Sequence, residues 1–282
     1  MKPAKFDYAR RDSLEDTLSL RGQMDSETSW LAGGQTLGPM MNLRLARPSQ
    51  LVDIHKIDEL LASRETETSV VFGAGITHAA IEDGLHPDPT GGAMRRVAGG
   101  IAYRVVRNRG TLGGSVAHAD PAADWLNFFS VTRALLHLRA PTATSETDAH
   151  GDRKMQVEDF LLSAYTTALQ DGELIVGIEV PQLPGEHYFG YHKLCRKTGE
   201  FAHVIASTLV VPDAKRCEVV LSASTPKPLR LTGARAELAR TAAPVSISQL
   251  KEEIGASTHG MSTTKLHMSA IAIHRSMSEA LV

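Results

Sequence analysis

Two glycine-rich motifs constrain this 282-residue chain more than any other feature of its sequence. The first is AGGQTLG at residues 32–38, directly after the apolar pair Trp30 and Leu31, and the second is TLGGSVAHADPAAD at residues 111–124. Because glycine adopts positive φ at little cost, an adjacent pair can turn backbone N–H groups into one concavity, and such concavities bind phosphate oxygens. Two loops of this kind predict a ligand with two linked phosphates, such as a dinucleotide.

Neither motif matches the common nucleotide signatures. No Gly-Lys-Ser/Thr follows the glycines, which excludes a phosphate-loop NTPase, and the spacing is not the GxGxxG of a Rossmann site. Ordinary glycine turns are the alternative interpretation, since such turns are frequent. The position of both motifs behind apolar runs favours a ligand.

The composition limits the kinds of partner and the cellular location that we expect. The net charge is −2 and no basic run is present, so nucleic acid is not an expected partner. The polar start MKPAKFDYARRD lacks the apolar core of a secretory signal, and no stretch approaches the roughly 20 apolar residues of a membrane span. We therefore predict a cytoplasmic protein. The two cysteines, Cys195 and Cys217, are predicted to be buried thiols, and they are too few for an iron–sulfur cluster, which takes about four.

The hydrophobic patterns predict an α+β chain in two parts, a mixed α/β domain over residues 1–176 and a β-then-α domain over residues 177–282. Three β-like runs open the second part and predict an antiparallel sheet, and a helical tail follows them. The elements expected from local signals are a helix from Leu14 capped by Ser13, strands at 28–31, 51–54, 69–76, 134–140 and 173–181, helices at 77–84, 93–105 and 120–134, a surface loop at 141–153, strands at 187–195, 201–212 and 217–225, and helices through 231–238 and 266–281.

Both motifs resemble a known family. Residues 31–54 (LAGGQTLGPMMNLRLARPSQLVDI) and 106–125 (VRNRGTLGGSVAHADPAADW) closely resemble the two flavin motifs of the FAD-binding medium subunit of molybdenum hydroxylases, the family of the carbon monoxide dehydrogenase medium subunit and the xanthine dehydrogenase flavin domain. Weaker similarity continues through 165–181, 191–204 and 224–230. The resemblance implies a two-part FAD-binding domain of the vanillyl-alcohol oxidase-like (PCMH) type. A small domain with a three-stranded antiparallel sheet and helices is expected to follow it.

The resemblance also implies a set of FAD-binding residues. Residues 31–37 are expected to form the first pyrophosphate loop, and part of 111–115 the second. Asp124 is expected near the adenosine and Lys193 at the flavin, where a cation stabilises the anionic reduced form. The full set is Leu31, Ala32, Gly33, Gly34, Gln35, Thr36, Leu37, Ile101, Thr111, Gly113, Gly114, Ser115, His118, Asp124, Ile175 and Lys193.

Four of these assignments have plainer alternatives. Asp124 also suits a charge at a helix N-terminus, and Lys193 a solvated position on a strand. Ile175 suits an ordinary core position, and His118 a structural position within a loop. No catalytic acid or base and no metal ligand is expected in this chain.

The function implied is that of an FAD-carrying electron-transfer subunit of a heteromeric molybdenum hydroxylase, an oxidoreductase. A large subunit would carry the molybdenum cofactor and a small subunit two [2Fe–2S] clusters, in a dimer of heterotrimers. The shortage of cysteines in this chain agrees with clusters on another polypeptide. A self-contained flavin oxidase or dehydrogenase of the vanillyl-alcohol oxidase type is the alternative, although a second domain of about a hundred residues leaves little room for a substrate pocket. A non-enzymatic nucleotide-binding regulatory module is a third hypothesis.

Overall fold

The computed structural model describes residues 2–21, 27–140 and 152–282, so the predicted loop at 141–153 lies outside it up to residue 151. The strands are β1 (Asp7–Arg10), β2 (Thr28–Leu31), β3 (Gln50–Asp53), β4 (Ser63–Glu65), β5 (Ser69–Gly73), β6 (Leu135–Arg139), β7 (Asp152–Gln156), β8 (Leu161–Ser163), β9 (Thr166–Thr167), β10 (Leu174–Pro181), β11 (Tyr188–Leu194), β12 (Val204–Val211), β13 (Arg216–Ser222) and β14 (Leu229–Arg230). The helices are α1 (Leu14–Arg21), α2 (Leu37–Asn42), α3 (Asp58–Leu61), α4 (His78–Glu82), α5 (Ala93–Gly99), α6 (Arg104–Arg107), α7 (Leu112–His118), α8 (Asp124–Thr132), α9 (Val157–Phe160), α10 (Thr232–Thr241), α11 (Ile247–Ser257) and α12 (Thr263–Glu279).

The first domain contains two main sheets and a two-stranded sheet of β8 and β9. Strands β1, β3 and β2 form a parallel sheet in that order, and β4, β5, β10, β6 and β7 form a larger antiparallel sheet. The two-part architecture implied by the resemblance is thus confirmed. The first glycine motif follows β2 of the smaller sheet, and the second begins α7, which packs on β10 of the larger one.

Helix caps account for several boundaries that the sequence predicted. The Ser13 hydroxyl accepts a hydrogen bond from the Asp16 N–H at 3.1 Å, and Thr77 does the same for Ala80 at 3.2 Å. The predicted helix over 93–105 is instead two short helices, α5 and α6. They are separated by a turn in which Ala102 takes φ +41, because a continuous helix cannot pass through a left-handed residue.

The second domain is a four-stranded antiparallel sheet, β11 to β14 in sequence order, covered by α10, α11 and α12. The three predicted strands are confirmed, and β14 adds a two-residue edge strand. Side chains of β12 alternate: Val204 and Ala206 face those helices, while Leu209 and Val211 pack with Val131 of α8. Every residue of α8 is buried, since the helix lies between the core of the first domain and the sheet of the second.

The predicted boundary after residue 176 falls inside β10. Gly177 pairs with Gly73 of β5 and Pro181 with Ser69, so the second half of the strand belongs to the sheet of the first domain. We propose a corrected boundary in the segment 182–187, between β10 and β11, because a cut there leaves both sheets whole.

The cysteines and the helix lengths also bear on the predictions made from the sequence. Cys195 and Cys217 are free thiols, but both are half-buried, so the prediction of buried thiols is wrong in degree. Burial raises the pKa of the Cys217 thiol to about 11, which makes it a poor nucleophile at neutral pH. Among the described helices, none is long and apolar enough to cross a membrane.

Candidate functional site

The two glycine motifs lie against each other. A Cβ on Gly33 would stand 1.9 Å from the carbonyl oxygen of Arg109 and 3.0 Å from the Cα of Gly110, so the two backbones are in direct contact there. A Cβ on Gly114 would lie 3.9 Å from the Cβ of Ala32. Residues about eighty positions apart in sequence therefore form one continuous surface.

A third segment, the turn after β5, supports the second motif. The N–H of Leu112 donates to the carbonyl of Ile76 at 3.0 Å, and the N–H of Gly113 donates to that of Ala74 at 2.8 Å. Thr77 forms a single antiparallel bridge with Thr111. This turn was not among the predicted site residues, although its alternating glycines, GAGIT at 73–77, were a usable signal.

The glycines are required for different reasons than the sequence suggested. Of the four in the two pairs, Gly34 alone has positive φ, +71. The expectation of positive φ at Gly33, Gly113 and Gly114 is wrong, because these three have ordinary backbone angles and are small for packing. A Cβ on Gly113 would be 2.5 Å from the Cβ of Ala74, and one on Gly114 would be 2.7 Å from the Thr111 hydroxyl.

The two motifs differ in whether their backbone N–H groups have acceptors within the protein. In the second motif the N–H groups of residues 112–115 all have acceptors in the protein, including the Thr111 hydroxyl, which accepts from Gly114 at 3.1 Å. In the first motif, no acceptor within the described part of the chain meets the N–H groups of residues 33–37. Gln35 and Thr36 are also exposed. The first motif is therefore the donor surface, and the second motif backs it.

A second group of predicted residues meets where the two domains join. Lys193 on β11 donates to both carboxylate oxygens of Asp124, at 2.8 and 3.0 Å, and to the carbonyl of Gly100 at 3.2 Å. The Tyr191 hydroxyl also donates to Asp124. Burial, and then the negative charge of Asp124, raise the pKa of Tyr191 well above its usual value, so its proton is retained. Tyr191 was missed, although it lies two positions from Lys193 and so shares its face of the strand.

The remaining predicted residues occupy varied surroundings. Ile175 is 3% exposed within the core of the first domain, in agreement with its plainer alternative, and Ile101 is half-buried against the same core. His118 is half-buried at the end of α7, with its ring 5.2 Å from that of Tyr165. Leu31, Leu37 and Ser115 are half-buried beside the glycines.

A buried histidine supports the second motif from below. His78 donates its backbone N–H to the carbonyl of Gly110 at 2.9 Å, and its Nδ1 accepts from the indole of Trp125 at 3.0 Å. Burial, aided by the positive charge of Arg107, lowers the pKa of His78 to about 4. The imidazole is therefore neutral at physiological pH and serves as a packing element.

Comparisons with known proteins agree with this geometry. The family model described as the FAD binding domain in molybdopterin dehydrogenase matches residues 4–183. The carbon monoxide dehydrogenase medium chain of Hydrogenophaga pseudoflava is 34% identical over 245 residues, which cover 84% of this chain and 81% of that protein. The 6-hydroxypseudooxynicotine dehydrogenase complex subunit alpha of Paenarthrobacter nicotinovorans is 35% identical over 213 residues, covering 76% and 69%.

Solved structures extend the similarity to the second domain. A carbon monoxide dehydrogenase structure from Hydrogenophaga pseudoflava superposes with a TM-score of 0.86 at 29% identity, over 99% of this chain and 98% of that one. Quinoline 2-oxidoreductase from Pseudomonas putida 86 superposes with a TM-score of 0.84 at 26% identity, covering 100% and 98%.

Fold and site together define a flavoprotein of the oxidoreductase class. The chain belongs to the family of FAD-binding domains of molybdopterin dehydrogenases, and it is an FAD subunit of the medium-chain type found in molybdenum hydroxylases.

The residues present fit this cofactor. The N–H groups of residues 33–37 suit the oxygens of a diphosphate, which backbone donors bind without a lysine. A Cβ at Gly33 would be forced into the Arg109 backbone, so the shape of the donor surface depends on glycine at that position.

Proposed function

We propose that this chain is the electron-transferring medium subunit of a three-subunit molybdenum hydroxylase. It would receive electrons from [2Fe–2S] clusters on a small partner subunit, and a large partner subunit would carry the molybdenum cofactor and the organic substrate. The chain would then deliver the electrons to an external acceptor. Relatives named as a medium chain, a medium subunit and a subunit of a dehydrogenase complex support a heteromeric assembly.

One observation carries the proposal above all others. The N–H groups of residues 33–37 form a contiguous set of donors that have no acceptor among the described residues. Backbone donors left unpaired next to a packed surface are unfavourable unless water or a ligand accepts from them. A diphosphate provides several strong acceptor oxygens at once, and FAD is the diphosphate cofactor of the family.

When bound, FAD supplies the redox chemistry, since a flavin takes up electrons singly and releases them in pairs. The residues of this chain have binding and positioning tasks. In the proposed site, residues 31–37 bind the diphosphate, and Thr111, Gly113, Gly114 and Ser115 pack behind them and hold their shape. Ile101 contributes apolar surface and packs against the core that contains Ile175, and Asp124, Lys193 and His118 form the polar boundary. None of these roles requires the chain to donate or remove a proton from a substrate.

The division of labour between subunits follows from the cysteines. A [2Fe–2S] cluster takes about four thiolate ligands, and this chain has two cysteines on different strand regions, Cys195 and Cys217. The clusters would therefore lie outside this chain. We further propose a dimer of heterotrimers in the cytoplasm, where free thiols such as these two stay reduced.

Purification of the native complex tests the proposal. We expect about one FAD per copy of this chain, released by acid, and mass spectrometry should identify one larger and one smaller co-purifying subunit. Flavin that stays linked to the protein after acid, in a chain without partners, would instead support a self-contained oxidase. A complex with no flavin would support the regulatory module.

A further inference from the structure

Arg107 of α6 makes an unusual set of contacts. Its Nε and one terminal nitrogen donate to the two carboxylate oxygens of Glu82, each at 2.8 Å. The other terminal nitrogen donates to the backbone carbonyls of Ile101 at 2.9 Å and Ala102 at 3.2 Å. The side chain is 11% exposed. One guanidinium thus ties α4 to the turn between α5 and α6.

That turn, residues 100–103, is here named the seam turn because it meets the second domain twice. The Gly100 carbonyl accepts from Lys193 at 3.2 Å. The ring of Tyr103 lies against Gly199, where a Cβ would be 2.6 Å from two ring atoms. Ala102 holds φ +41, which is unfavourable for a residue with a Cβ and persists only when the surroundings impose it. The hydrogen bonds from Arg107 to this residue and its neighbour supply that restraint.

Helix α6, which carries Arg107, leads directly into the second glycine motif. The N–H of Gly110 donates to the carbonyl of Val106 at 2.7 Å, and Gly110 lies next to Gly33. Arg107 is therefore placed between the diphosphate-binding surface and the seam turn that carries Ile101.

We propose that Arg107 is a positioning residue, which holds the seam turn in the single shape that lets Ile101 and the Gly100 carbonyl border the flavin. The inference rests on the proposed FAD site. It goes beyond that proposal because Arg107 reaches the cofactor only through the backbone of the seam turn.

Arg104 offers a matched control on the same helix. It pairs with Glu82 and Asp83 at 2.7 Å and with Asn108 at 2.9 Å, but it makes no hydrogen bond to the seam turn. Arg104→Lys and Arg107→Lys both keep a cation beside Glu82. The lysine of Arg107→Lys lacks the planar fork that spans a carboxylate and two carbonyls. A role limited to docking α6 on α4 would affect both variants similarly.

The test compares FAD affinity and the visible circular dichroism of the bound flavin in the native complex. We expect Arg107→Lys to weaken FAD binding by about tenfold or more and to change the flavin dichroism, while Arg104→Lys stays within about twofold of wild type. Adding Ala102→Gly to Arg107→Lys should restore much of the affinity, because glycine adopts positive φ without a restraint. Equal effects of the two lysine variants, or no recovery with Ala102→Gly, would overturn the inference.

Two further outcomes separate this inference from the proposed function. A wild-type complex without releasable FAD would refute the proposed function itself. If Arg107→Lys yields no complex, the double variant decides: assembly with FAD supports the inference, and continued failure beside an intact Arg104→Lys complex overturns it.

Discussion

Lys193 of β11 and Asp124 at the start of α8 form an ion pair across the domain boundary, with Nζ 2.8 Å from Oδ1. The resemblance implied opposite ends of FAD for these residues, Asp124 at the adenosine and Lys193 at the flavin. Because their side chains are in contact, the two residues cannot lie at opposite ends of an extended cofactor. The ion pair also neutralises much of the charge that Lys193 would otherwise present to a flavin.

We predict that Lys193→Met destabilises the chain by about 3 kcal/mol, since it leaves the buried Asp124 carboxylate without its cation. Urea unfolding at neutral pH measures the loss. The double variant Lys193→Met, Asp124→Asn removes both charges and should recover at least half of the stability. Equal stability of wild type and Lys193→Met would show that the pair contributes little.

The ion pair of Lys193 and Asp124 is also expected to influence the reduction potential of the flavin. In the native complex, Lys193→Met adds a net negative charge beside the proposed site and should lower the flavin reduction potential. The double variant exchanges a neutral pair for neutral side chains, so its potential should lie nearer to that of wild type. Spectroelectrochemical titration measures both, and identical potentials in all three proteins would assign the pair a purely structural role.

Gly33→Ala should disrupt the donor surface. Its Cβ would lie 1.9 Å from a backbone carbonyl that belongs to the second motif, and neither chain segment can yield without moving its motif. We expect a cost of about 2 kcal/mol in unfolding free energy and at least about tenfold weaker FAD binding. Gly38→Ala is the control, because a Cβ there has nothing within 4 Å and the residue lies in α2. It should leave FAD content unchanged. Retention of FAD by Gly33→Ala would count against the site.

Thr111→Val tests the cap of the second motif. The valine keeps the shape of threonine but cannot accept from the Gly114 N–H, so α7 loses its N-cap at a cost of about 1 kcal/mol. FAD affinity should fall with it, while Thr111→Ser should behave like wild type. Thermal unfolding and FAD titration of the three proteins provide the measurement. Loss of stability without loss of affinity would separate α7 from the cofactor.

Local sequence signals predicted most helices and strands, and the two glycine motifs predicted a shared surface. Ser13 and Thr77 mark helix starts correctly because a cap depends on residues three positions away. The sequence could not show why each glycine is needed. The neighbour that excludes a Cβ at Gly33 is Arg109, and contacts across 76 positions leave no local pattern.

The roles of Tyr191 and Arg107 were missed for the same reason. Tyr191 acts on Asp124 of another domain, and Arg107 acts on carbonyl groups, which have no side-chain signature. The predicted domain boundary falls within a strand because β10 continues the apolar pattern past residue 176 to Pro181. Strand partners, rather than composition, decide to which sheet its end belongs.

His78 predicts a pH dependence of stability. Its pKa is about 4 in the folded chain, below its ordinary value of 6.5, because burial disfavours the charged imidazole. Between these values the unfolded chain takes up a proton that the folded chain does not, so acid favours unfolding. The contribution of the neutral imidazole is complete above pH 6.5 and is lost as the pH falls towards 4, a change of about 3 kcal/mol.

The variant His78→Asn isolates this contribution from the carboxylates that titrate in the same range. Its amide oxygen can accept the Trp125 hydrogen bond, but the side chain does not titrate. The variant should be less stable than wild type at pH 7, and the difference between the two unfolding free energies should shrink by about 3 kcal/mol towards pH 4. Urea unfolding across this range measures the two curves. Parallel curves would mean that His78 takes up its proton as readily in the folded chain as in the unfolded one. The description of His78 as a buried, neutral packing element beneath the second motif would then be wrong.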